Sequence, residues 1–96
     1  MERMPDVQIT EELIRSEIKR LIADVTEREP GEITDTALFS EELGVDSLMA
    51  MEVMVAVDKK FRIDIPEEEF GKIRNVLDAV AAVQRHLPGG AQVAGV

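Results

Sequence analysis

Apolar residues in this chain recur at intervals of three and four, and each such run is followed by a proline, Pro30, Pro66 or Pro88. Spacing of that kind puts side chains on one face of a helix, and proline stops a helix from continuing. Leu13, Ile14, Ile18, Leu21, Ile22 and Val25 form the first run, and Val76, Val80, Val83 and Leu87 form the last. Between them Ala50, Met54, Val57 and Phe61 follow the same rule, and nowhere does the period of two expected of strands appear. The pattern predicts an all-α fold, a small four-helix bundle with three main helices and one short one around a single core.

Capping chemistry sets the expected boundaries. Thr10 suits the N-cap of a first helix that carries Glu11 and Glu12 at its positive end and stops before Pro30 and Gly31. Asp46 or Ser47 suits the cap of a second helix running to about Phe61. Pro66 opens a brief helix with Glu67, Glu68 and Glu69 in its first turn and Phe70 and Ile73 turned inward. Asn75 caps the last helix, which Pro88, Gly89 and Gly90 end. A long loop from Glu29 to Val45 separates the first two helices, with a short turn from Ser40 to Gly44 and with Leu38, Phe39 and Leu43 as anchors. So long a connection in a compact domain points to function. The expected organisation is a flexible segment 1–9, a domain 10–87 and a flexible tail 88–96.

Composition narrows the chemistry. Ninety-six residues with 45% hydrophobic content hold one modest core, filled by aliphatic residues and five Met because only three Phe are present. No Cys is present, so disulfides, thiolate metal sites and a cysteine nucleophile are excluded and any thiol must be imported. The lone His86, near the end of the last helix, reads as a helix-end cation and not as part of a metal site or catalytic dyad. Twenty acidic against eleven basic residues give a net charge of -9, which argues against nucleic acid and for basic protein partners. No basic residue lies between Arg28 and Lys59, a stretch that carries eight carboxylates. No apolar run approaches the roughly 20 residues that span a bilayer, and Met1 to Ile9 lacks signal-peptide features, so a cytoplasmic protein with no membrane insertion is expected.

The second helix holds more apolar surface than one buried face requires. Besides Ala50, Met54, Val57 and Phe61, a second stripe of Leu48, Met51 and Val55 begins immediately after Ser47. Either the helix is buried on several sides or the stripe is exposed for docking.

Leu43-Gly44-Val45-Asp46-Ser47-Leu48 resembles the Asp-Ser-Leu signature of the acyl carrier proteins, and the resemblance continues through Phe61, Ile65-Pro66-Glu67 and the final helix, from about Ile9 to Leu87. It implies that Ser47 receives 4'-phosphopantetheine from coenzyme A, that the thiol of this arm carries acyl groups as thioesters, and that Asp46 helps engage the phosphopantetheinyl transferase. The chain would then be no enzyme but a monomeric carrier serving acyl-transferring and acyl-modifying enzymes with basic docking patches, in fatty acid, lipid or polyketide-type biosynthesis. Leu48, Met51, Glu52, Val55 and Asp58 are the expected docking residues. Shielding of the cargo between helices implies a lining of Met54, Val57, Ile65, Phe70, Leu77 and Val80.

Position supports the transfer, since a serine in a first turn exposes its hydroxyl and sets an anionic linkage beside unpaired amides. The chain departs from the family at Met49 and at Lys59 and Lys60, positions commonly acidic in carriers of fatty acid synthesis, which points to a specialised carrier. A cofactor-free helical interaction module and a peptidyl or aminoacyl carrier are the alternatives.

Overall fold

The computed structural model describes residues 9–87, so the flexible ends expected at 1–9 and 88–96 lie, apart from Ile9, outside the described residues. Ile9 is exposed and outside any helix. Three α-helices follow, α1 (Glu11–Thr26), α2 (Ser47–Phe61) and α3 (Val76–His86), with short 3₁₀ segments at Pro30–Glu32 and Glu67–Lys72. The described residues contain no strand, and the expected bundle of three main helices plus one short helix is the fold observed.

Each main helix begins where a side chain satisfies a backbone amide that the helix itself leaves unpaired. Thr10 Oγ1 accepts from the Leu13 amide at 3.1 Å, Asp46 Oδ1 from Met49 at 2.9 Å and Asn75 Oδ1 from Asp78 at 2.9 Å. At α3 the exchange is nearly reciprocal, because Asp78 Oδ2 accepts from the Arg74 amide at 3.0 Å. The C-termini rest on backbone geometry. Glu27 and Arg62 adopt left-handed φ values of 57 and 58, reversing the chain after α1 and α2 without glycine. The first helix therefore ends at Thr26, short of the limit set by Pro30. The left-handed turn at Glu27 lets Arg28 N–H donate to Ala23 O at 2.8 Å, closing the helix end.

α1 packs against both α2 and α3. Ile14, Ile18 and Ile22 from α1 meet Val53, Met54, Val57 and Phe61 from α2 and Val76, Ala79, Val80, Ala82 and Val83 from α3. No polar or charged residue is buried among those described. Phe70 and Ile73, expected to face inward, are half-buried against this core.

The loop from Glu27 to Asp46 is part of the core. Phe39 and Leu43 are buried as expected and Leu38 is half-buried, while Ile33, Ala37 and Val45 are buried as well. Its backbone is tied down by bonds from Phe39 N–H to Arg74 O at 2.9 Å, Val45 N–H to Phe39 O at 2.8 Å and Leu77 N–H to Asp35 O at 3.3 Å. The Asp35 side chain faces α1, with Lys19 Nζ at 2.8 Å and Arg15 Nε at 3.7 Å. Hydrogen bonding from Lys19 holds its carboxyl below the usual carboxylate range, aided by the charges of Lys19 and Arg15 and opposed by burial. The start of α2 is thus held from behind by a packed strap.

Candidate functional site

The strap delivers one serine to a defined place. A turn over residues 39–43 is closed by Glu42 N–H and Leu43 N–H on Leu38 O at 2.9 and 3.2 Å. Gly44 then takes φ 72, a left-handed conformation that glycine adopts without penalty. A Cβ there would meet nothing within 4 Å, so the dihedral and not space calls for glycine. After this reversal Val45 is buried, whereas Asp46 and Ser47 are exposed.

Ser47 is the first residue of α2, directly after the Asp46 cap. Asp46 occupies the Met49 amide through its side chain and the Ala50 amide through its carbonyl, at 2.9 Å each. The amides of Ser47 and Leu48, like those of any first turn, have no acceptor within the helix. An exposed hydroxyl beside two such donors at the positive end of a 15-residue helix fits an anionic phosphodiester. Ser16 lies within α1 and Ser40 within the loop turn, so neither shares this setting.

The second stripe of α2 is exposed. Leu48 is 67% exposed, Met51 42% and Val55 52%, while Glu52 beside them is exposed too. Opposite them the buried face consists of Val53, Met54, Val57 and Phe61, with Ala50 half-buried at its edge. Of the two arrangements open from periodicity, the structure adopts one core face and one open face.

Asp58 departs from its expected place on the docking face. It is half-buried, and its Oδ1 accepts from the Ile65 amide at 3.3 Å across the turn that follows α2. Burial pushes its carboxyl above the usual range, helped by the Asp64 charge and opposed by the Ile65 hydrogen bond and His86. Its position three residues from the helix end lets it serve the chain's own backbone, a role that depends on where Ile65 folds back.

An apolar cleft opens beside α2, lined by Ile22, Phe39, Val45, Ala50, Val53, Met54, Phe70 and Ile73. Its volume of about 20 Å³ is room for roughly one water, so any chain entering it must part the walls. Of the expected lining, Met54 and Phe70 are present. Val57, Ile65 and Val80 are buried elsewhere in the core, and Leu77 is 43% exposed on the outside of α3. Leu77 follows Val76, which turns fully inward, and one step along a helix rotates the next side chain away by about 100°. The missed lining residues Ala50 and Val53 stand at i and i+3 with the expected Met54 at i+4, a visible signal; Ile22, Phe39 and Val45 come from other segments and gave none.

The 3₁₀ helix that carries Phe70 is fastened to α3 by Glu69, whose carboxylate lies 2.9 Å from Arg85 Nη2 and 3.0 Å from His86 Nε2. Hydrogen bonds from Arg85, then His86, hold Glu69 below the usual carboxylate range. His86 thus sits in the last turn of α3 against a carboxylate. Among the described residues no group of three His, Cys, Asp or Glu is placed to hold a metal ion, and no helix is long and apolar enough to cross a membrane.

Residues 16–83 match the family described as the phosphopantetheine attachment site. The chain is 38% identical over 73 residues to the acyl carrier protein of Rickettsia bellii strain RML369-C, covering 76% of this chain and 85% of that one. It is 38% identical over 77 residues to the meromycolate extension acyl carrier protein of Mycobacterium tuberculosis strain H37Rv, covering 80% of this chain and 67% of that one. A solved structure of the acyl carrier protein from Enterococcus faecalis superposes with a TM-score of 0.68 at 25% identity, over 78% of this chain and 95% of that chain.

Proposed function

The chain belongs to the acyl carrier protein family, and from that premise we propose that Ser47 carries its 4'-phosphopantetheine and that the exposed face of α2 presents the loaded arm to partner enzymes. The protein is an acyl carrier of fatty acid or related biosynthesis and not an enzyme. When attached, the group supplies a thiol that bears the acyl chain, which answers the absence of any Cys in the sequence. Every other task falls to the chain's own residues, and residues 10–87 are the unit that performs them.

The observation that carries the assignment is the exposed hydroxyl of Ser47 at the N1 position, held by a cap that leaves it unoccupied. Asp46 takes the capping duty, so Ser47 can give up its hydroxyl proton without unravelling the helix. The first-turn amides and the helix dipole then steady the negative linkage. Asp46 also presents the charge that the transferase reads. Leu48, Met51 and Val55 offer an apolar footing to partners, with Glu52 as the adjoining charge for a basic patch.

Acyl cargo enters the cleft bounded by Met54 and Phe70. Parting the walls there disturbs few fixed contacts, because the 3₁₀ helix Glu67–Lys72 buries none of its residues fully. A cargo so held is kept from water.

Intact mass before and after incubation with coenzyme A and a broad-specificity phosphopantetheinyl transferase tests the attachment. The wild-type protein should gain one phosphopantetheine and Ser47→Ala none, with unchanged helical circular dichroism. Loading that survives the substitution, or maps to Ser16 or Ser40, overturns the assignment. For the cleft, NMR shifts of Met54, Phe70 and Ile73 should move between the holo and long-chain acyl forms. Identical spectra would refute cargo entry.

A further inference from the structure

Resting on the reading of α2 as the docking helix, we propose that the enzyme this carrier serves has a footprint of two signs: cationic where the Ser47 arm enters, apolar beneath the exposed stripe, and acidic opposite Lys59. Leu48, Met51, Glu52, Val55 and Lys59 stand at i, i+3, i+4, i+7 and i+11, which confines them to one helical face. All five are exposed. The face has carboxylates at its start, where Glu41, Glu42 and Asp46 lead into Ser47 and Glu52 follows one turn later. It ends in Lys59, with exposed Arg62 at the C-cap just beyond.

The two charges that flank Lys59 in sequence are directed elsewhere. Lys60 lies on the flank toward α1, with Nζ 3.8 Å from Glu17 Oε1. Asp58 turns its Oδ1 to the Ile65 amide. Lys59 has no ion-pair partner among the described residues, so it is the cation that this face offers. Asp64 is exposed after Arg62 but lies beyond the helix.

A partner uniformly basic along α2 would set a like charge against Lys59, an arrangement that slows encounter and lowers affinity. A partner with an acidic side chain there gains an ion pair and a fixed direction of docking. Eleven residues at about 1.5 Å each place that acid roughly 17 Å beyond the seat of Leu48, measured away from the mouth that receives the arm. Charge at both ends with opposite sign also forbids the reversed orientation, which the apolar stripe alone would tolerate.

The test uses holo-carrier acylated on its arm, with kcat/KM measured for two probes. One is a carrier-dependent ketosynthase chosen for a uniformly basic docking patch. The other is the same enzyme with the basic residue opposite the end of α2, located by cross-linking from position 59, changed to Glu. At low salt the original probe should prefer K59E and the charge-swapped probe should prefer the wild-type carrier, each by roughly two- to five-fold, and both preferences should fade at high salt. If Leu48→Ala slows both probes while neither distinguishes K59E from wild type, the docking face stands and the two-signed footprint is wrong. If Leu48→Ala changes nothing although Ser47 is loaded, the docking reading fails and takes this inference with it.

Discussion

α2 and α3 both pack against α1, yet they use their apolar residues differently. α3 spans 11 residues and buries five, Val76, Ala79, Val80, Ala82 and Val83, so most of its apolar content is consumed by the core. α2 is longer by four residues, 15 against 11, buries only Val53, Met54, Val57 and Phe61, and leaves Leu48, Met51 and Val55 in the open. Leu77 is the large exposed hydrophobic of α3, and it stands alone there. Single apolar side chains at a surface are ordinary, whereas three along one helix beside an exposed serine form a surface that serves something outside the fold.

The sharpest way to break this comparison is to cut into the buried face of α2. Phe61→Ala should cost about 3–5 kcal/mol in urea unfolding, because the cavity adds to the lost transfer energy. A cost near zero would mean that α2 is not anchored as described.

The caps give the next largest effect and separate the two helices by function. Asp46→Ala and Asn75→Ala each remove one side-chain acceptor and should each lower stability by about 1 kcal/mol. Only Asp46→Ala should also slow loading of Ser47 by the transferase. Equal slowing by Asn75→Ala would show that loading merely tracks stability, and the special role of Asp46 would fall.

Asp58→Asn tests the inward role of that side chain. The asparagine oxygen can still accept from the Ile65 amide, while the buried charge is gone. Because the fold raises the Asp58 pKa, its ionised form is the disfavoured one. The Asp58 contribution to stability is full below the unfolded-state pKa and declines as pH rises through the folded one. The variant should therefore melt at a higher temperature than wild type at pH 7, and the difference should vanish as pH falls below the ordinary carboxylate range. A lower melting temperature at pH 7 would contradict the burial assigned to this carboxylate.

The smallest expected effect sharpens the contrast most. Leu48→Ala should change unfolding free energy by no more than about 0.5 kcal/mol, since the side chain leaves water in neither state. Enzymatic transfer from the loaded arm should nevertheless slow. A stability loss comparable to that of Phe61→Ala would place Leu48 in the core.

Much of this was legible in the residues themselves, where the cause is local. Thr10, Asp46 and Asn75 cap because a short polar side chain reaches an amide three residues on, a contact set by one turn of chain. The helical runs and Ser47 at the head of α2 follow for the same reason, and so does the surplus apolar stripe. The left-handed ends at Glu27 and Arg62 were hidden, because neither residue advertises that conformation as glycine does.

What tertiary structure alone decided are the matters that depend on which segment arrives from afar. Ile33, Ala37 and Val45 are buried because the strap is bonded to Arg74 and Asp35 bonds back to Leu77, pairings that span some forty residues of sequence. Asp58 became an internal acceptor because Ile65 folds over the end of α2, and Leu77 became an outer residue because α3 turned Val76 to α1 and the core. The cleft beside Met54 exists only where Ile22, Phe39 and Phe70 converge. Periodicity states how many faces a helix has, but burial is a property of pairs of surfaces, and a single helix cannot show which of its faces will find a partner.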